Sequence, residues 1–189
     1  MINDLNWDAI LAPGVQAPPG RGRSAMHWAH FVTLPNVQFT AALERLSHQP
    51  PADGAHLAVI DGSKCQSDRE LFDEFARQLE FPSYFGYNWG AFDECLSDLL
   101  VLDDGGLGAA FGDRAGVAAS TLLIAIKCTK AVLVRENRHE FGKFISALQA
   151  AANGELFKYV RPRPRVARLR VVLHSDDQEF GHFNEMVAE

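Results

Sequence analysis

The sequence predicts an α/β domain: a small three-stranded parallel sheet packed by helices and preceded by an N-terminal extension. Three observations predict it. Strand-like apolar runs stand at 56–60, 121–127 and 168–174, and they are separated by stretches with helical periodicity. The 121–127 run lacks apolar–polar alternation, as expected of a strand buried on both faces. Helix-start signals stand before the helical stretches, beginning with Ser67 followed by Glu70, the spacing of a capping box.

Residues 1–54 read as an extension. Pro13, Gly14, Pro18, Pro19, Gly20 and Gly22 interrupt regular structure. Residues 27–33 suit a short strand, and Asn36 caps a helix with Phe39, Leu43 and Leu46 on one face. Pro50, Pro51 and Gly54 mark the boundary. The main domain is expected over 55–176, with a tail over 177–189.

The strand at 56–60 ends at the turn Asp61–Gly62. The next helix turns Leu71, Phe72, Phe75 and Leu79 inward and cannot continue past Pro82. After an aromatic turn, a second helix runs from about Asn88 to Leu100. Its apolar face is Phe92, Cys95, Leu96 and Leu99; its other face presents Gly90, Asp93, Glu94, Ser97 and Asp98. Residues 103–120 are rich in Gly, Ala and Asp and read as a loop. Residues 131–134 suit either a further strand or a helical turn. Asn137 and Glu140 start a helix with Phe141, Phe144, Ile145 and Leu148 inward, ended by Asn153–Gly154. Residues 168–174 form the last strand.

With 47% hydrophobic residues in 189, the chain can bury one real core. No stretch of 18 apolar residues predicts a membrane span, and the acidic start lacks a secretory h-region. Cys65, Cys95 and Cys128 are odd in number and widely spaced, which suits reduced thiols in a cytoplasmic protein rather than a metal or disulfide framework. His27 and His30 would point to opposite faces of a strand, a poor metal geometry. The spacing of Gly106, Gly108 and Gly112 is one residue too long for a dinucleotide loop. No cofactor and no metal are expected.

The net charge is −6, but it is unevenly distributed: Asp61 to Asp113 holds 12 acids and 3 bases. Such a field repels nucleic acid and draws basic partners. Arg161, Arg163, Arg165, Arg168 and Arg170 form the contrary signal, a basic run without interleaved aromatics for base stacking.

Within the acidic block, Phe81 to Ser97 sets Tyr84, Phe85, Tyr87 and Trp89 against a helix bearing Asp93, Glu94 and Asp98. Tyrosine and tryptophan anchor interfaces because they bury much area with few rotors. Neither a nucleophile nor a nearby histidine accompanies the carboxylates, so an enzyme is not expected.

This stretch, with Leu57–Gly62 before it and Leu169–Leu173 after it, resembles the barstar family of intracellular ribonuclease inhibitors. The resemblance covers roughly residues 55–176 and implies that the second helix and its turn plug a nuclease active site, its acids imitating RNA phosphates. By motif position, Tyr84 and Asn88 fall on the family's binding-turn aromatic and asparagine. Glu94 falls on its dominant acid and Ser97 on a small hydroxyl. Gly90 falls where the family has a second interface aspartate, so one carboxylate is missing; Asp93 supplies a neighbouring charge. Trp89 joins this set as an aromatic anchor. A family acid on the third helix has its nearest placement at Gln149.

The implied function is an immunity or antitoxin-type inhibitor of a barnase-like ribonuclease or related basic toxin. The expected chain is a monomer when free, without nucleic acid or membrane contacts. The rival readings are a non-inhibitory interaction module of the same fold and an RNA binder using the arginine run.

Overall fold

In the computed structural model, residues 28–48, 54–103 and 105–184 are described, together with Trp7 and Ile10. The elements in chain order are β1 (Ala29–Thr33), α1 (Asn36–His48), β2 (Ala55–Asp61), α2 (Asp68–Gln78), α3 (Trp89–Leu99), β3 (Thr121–Lys127), α4 (Arg138–Asn153) and β4 (Arg168–Ser175).

The sheet has four strands, not three, in the order β1-β4-β3-β2, all parallel. The α/β class holds; the strand count needed the 27–33 run. Ala29 to Thr33 pairs in register with Val171 to Ser175. The reason is burial. Leu169 to Ser175 is buried throughout, so β4 is an interior strand and needs a neighbour on each side. β3 supplies one and β1 the other.

The same logic places helices on both faces. Helices α2, α3 and α4 cover one face over a core that includes Phe72, Phe75, Phe92, Phe144, Ile124 and Val171. On the other face, Phe39, Leu43 and Leu46 of α1 pack with Ile10 on Leu123, Ala125 and Val172. The 131–134 stretch resolves toward the helical alternative: a 3-10 turn over Thr129–Ala131 leads into it, with Val132 and Leu133 buried. After β4 the chain turns back, and Phe180 and Phe183 enter the first core.

Local signals set the helix ends. Ser67 Oγ accepts from Glu70 N at 3.3 Å, and Glu70 Oε2 accepts from Ser67 N at 3.0 Å. Asn137 Oδ1 accepts from His139 N and Glu140 N to open α4. Gly154, at φ +62°, closes it in the left-handed conformation that glycine adopts without strain. Among the described residues no helix is long and apolar enough to cross a membrane. The three cysteines are unpaired, and Cys65 and Cys95 are buried.

Candidate functional site

The aromatic turn sorts its rings by side. Phe81 and Phe85 stack edge-to-face at 5.1 Å and face inward. Tyr84 and Tyr87 point out, at 65% and 42% exposure. Arg69 lies 4.2 Å over the Tyr87 ring, so that tyrosine is partly covered by a cation. Tyr87 turns the chain at φ +50°, and Asn88 then caps α3: its Oδ1 accepts from Ala91 N at 3.0 Å, and its Nδ2 donates to Gly86 O at 3.1 Å.

Trp89 opens α3 but does not stand clear of the surface. Its ring packs edge-on against Phe72 at 4.9 Å, and its Nε1 donates to Glu140 Oε2 at 2.6 Å. Hydrogen bonds from Lys143 first and Trp89 second hold the Glu140 carboxyl below its ordinary value. The indole thus ties α3 to α4.

The carboxylates of α3 spread across its exposed arc. Glu94 is exposed in the middle. Asp98, one turn on, is half-buried, and Tyr84 lies on the same flank. The Asp98 carboxyl is pushed up by burial and then by Glu94. The Tyr84 phenol is pushed up by partial burial and by its neighbours, which include Asp98, Asp113 and Glu94. Asp93 occupies the other flank, toward α4. Its Oδ1 is buried without a hydrogen-bond partner, and burial followed by Glu155 raises its pKa. Neither Glu94 nor Asp98 forms an ion pair among the described residues.

Between α3 and α4 runs an open groove of about 680 Å³. Trp89, Gly90 and Asp93 line one wall; Gly142, Lys143 and Glu155 are among those lining the other. A Cβ at Gly142 would meet nothing within 4 Å, and one at Gly90 would meet only Asn88 Oδ1, at 3.4 Å. The missing side chains keep the groove open.

The expected partner-binding residues therefore separate. Tyr84, Asn88, Gly90 and Glu94 are exposed, and Asp93 reaches the groove edge. Ser97 is 2% exposed with an unpartnered Oγ, so its hydroxyl is not at the surface. Gln149 does not line the groove; Glu155, just past the end of α4, does. Sequence reasoning passed over Glu155 because the residue follows Gly154, outside the helix, where no helical register predicts its direction.

The arc brings together acids and a phenol, His139 and Lys143 line the same groove as Asp93, and Cys95 is buried with its thiol pushed up to about 11 by burial, Asp98 and Glu94. An arc of unpaired acids beside an exposed tyrosine can accept the cations of another surface. The arginine run is not one basic stripe. Arg165 pairs with Asp103 at 3.2 Å, Arg161 Nη1 donates to the carbonyls of Lys158 and Val160, and Arg170 is buried in β4. The Gly106–Gly112 segment buries Leu107 and Phe111 and forms a short 3-10 turn.

No curated protein matches the chain. A family model does: residues 55–160 match the family described as barstar, the barnase inhibitor. The match begins with β2, ends in the loop after α4 and takes in the whole acidic arc. It spans more than half of the 189 residues, and the chain belongs to the barstar family.

Proposed function

We propose that this protein is an intracellular inhibitor of a basic ribonuclease, or of a related toxin, and that it acts by closing the partner's active site with α3 and its preceding turn. The observation that carries the reading is the position of Glu94: exposed, without an ion pair among the described residues, in the middle of an arc that also holds Tyr84, Asp93 and Asp98, in a chain of this family. Glu94 enters the cationic cleft and takes the place of a substrate phosphate; Asp93 and Asp98 strengthen the field around it. Long-range attraction between such an arc and a basic cleft speeds encounter, and close pairing slows release.

The cost of assembling the arc supports this use. Asp93 and Asp98 have already lost part of their hydration in the free protein, where burial and a like charge oppose their ionisation. A partner's cations relieve that opposition. Gly90, standing where the family carries an interface aspartate, favours a partner other than barnase itself.

The reading is tested by titrating a ribonuclease retained by this chain, with cleavage of a fluorogenic RNA as readout. Stoichiometric inhibition by the wild type and its loss in Glu94→Arg are expected. Cleavage that continues in the saturated complex would exclude occlusion and leave a non-inhibitory module.

A further inference from the structure

Two tyrosines leave the aromatic turn for the surface, and only one of them is covered. Tyr87 lies under the Arg69 guanidinium, 4.2 Å from the ring centroid. Tyr84 is 65% exposed, with no cation over its ring among the described residues.

A second segment closes on Tyr84. Leu107 and Val117 exchange backbone hydrogen bonds at 3.0 Å, and Gly108 N donates to Leu99 O at 2.9 Å, so the loop between them is fastened to the end of α3. Phe111 is buried, its ring 6.3 Å from that of Phe81. Gly112, left-handed at φ +77°, turns the chain between this buried ring and the exposed Asp113. Asp113 thereby joins the flank of the arc that holds Tyr84 and Asp98. Burial first, then Cys95, Asp98, Asp113 and Glu94, raise the pKa of the Tyr84 phenol, which stays neutral among these acids.

The two flanks of the arc offer a cation different surroundings. On the α4 side, Asp93 and Glu155 share the groove with Arg138, His139 and Lys143, which oppose its approach. On the Tyr84 side the loop's own base, Arg114, is engaged: it pairs with Glu80, donates to Leu79 O at 3.2 Å and lies over the Phe111 ring. Asp98 and Asp113 form no ion pair among the described residues. Arginine suits such a flank, because a planar guanidinium stacks on an aromatic face while its N–H groups bond carboxylates. The Arg69–Tyr87 contact is the same stacking made within the chain.

We propose that the partner sets an arginine over Tyr84, held by Asp98 and Asp113, so that its footprint runs from Glu94 across this flank to the 105–117 loop. This rests on the inhibitor reading for the existence of the partner, and goes beyond it in the residues that select that partner.

The probe is the ribonuclease that the full wild-type chain retains from lysate of the source organism. Its dissociation is timed from the wild type and from Asp113→Lys, Tyr84→Ala and Glu155→Lys. All three positions are exposed, so the variants should keep the fold, which circular dichroism checks. Dissociation about tenfold faster from Asp113→Lys and from Tyr84→Ala, and within about twofold of wild type from Glu155→Lys, is the expected result. Unchanged dissociation from Asp113→Lys or Tyr84→Ala overturns this flank and leaves the inhibitor reading standing. An equal acceleration by Glu155→Lys also overturns it, because only the net field would then be acting. A wild-type chain that retains no ribonuclease overturns both.

Discussion

Trp89 Nε1 donates a 2.6 Å hydrogen bond to Glu140 Oε2, joining the first turn of α3 to the first turn of α4. The helix carrying the acidic arc is thereby fixed to the helix forming the other wall of the groove. Phenylalanine keeps the aromatic packing but loses this donor. Trp89→Phe is expected to lower the thermal midpoint and to increase amide exchange at the start of α3, while Trp89→Ala also loses the contacts to Phe72 and Phe92 and falls further. Equal midpoints for Trp89→Phe and wild type would show that the indole serves only as an apolar filler.

Asp93 sets stability against binding. Burial and Glu155 raise its carboxyl pKa in the folded protein. The folded state therefore holds this proton more tightly than the unfolded state does, and stability falls as pH rises from the ordinary aspartate value through the raised one. At neutral pH the ionised group is a net cost. Asp93→Asn is expected to raise the thermal midpoint of the free chain at pH 7, with the gain vanishing in acid. The same variant should bind the partner more weakly. Complex formation by the wild type should release protons, so affinity should fall as pH is lowered toward the raised pKa. Calorimetry in buffers of different ionisation heat measures that release.

The α1 layer has its own pH response. His174 is buried in β4 and stacks on Phe39, with ring centroids 4.1 Å apart. The Leu34 carbonyl accepts from Nε2 at 2.8 Å, which leaves Nδ1 as an acceptor without a partner. Burial lowers its pKa below the ordinary histidine value of 6.5. The unfolded chain takes up this proton first, so stability is full above pH 6.5 and declines as pH falls below it. His30 adds to the effect in the same direction, through burial and the charge of Arg170. Urea unfolding at pH 7.5 and 5.5 should show the loss. Phe39→Ala, which empties the centre of this layer, should cost about 3–5 kcal/mol.

Gly90 offers a gain of function. Its Cβ position is open, and it lies in the first turn of α3, where a carboxylate favours the helix and glycine does not. Gly90→Asp is expected to leave the stability of the free protein within about 0.5 kcal/mol, the first-turn gain being offset by the like charges of Asp93 and Glu94 one turn on. It should strengthen attraction to a basic cleft, seen as a faster and more salt-dependent association rate. An association rate unchanged at low salt would place the partner's cations elsewhere.

Much of this was legible because its causes are local. The Ser67–Glu70 capping box, the Asn88 and Asn137 caps and the unalternating run of β3 are written within a few residues of where they act. The fourth strand was not. The 27–33 run signalled a strand, but its partner β4 is distant in sequence, and only the burial of β4 on both faces requires that pairing. Trp89 shows the same limit. Its type and place suggested an exposed anchor, yet its hydrogen-bond partner lies on another helix. Ser97 reads as polar-face in the α3 register, but the structure covers it. Arg170 reads as part of a basic run, but strand alternation turns it toward the α1 layer. Phe180 and Phe183, two bulky apolar residues three apart and unsuited to solvent, are buried in the first core. We propose on these grounds that residues 28–184 form one folding unit, and that deletion through residue 54 leaves an insoluble remainder.

The central claim is that the acidic arc around Glu94 holds a basic nuclease. Its most direct test is affinity capture from lysate of the source organism, with the wild type and Glu94→Arg as parallel baits and mass spectrometry as readout. Because the Glu94 side chain is exposed, the variant should fold as the wild type does. The expected result is a small basic nuclease retained by the wild type alone. The same proteins recovered by both baits would contradict the claim and show that the arc is not the functional surface.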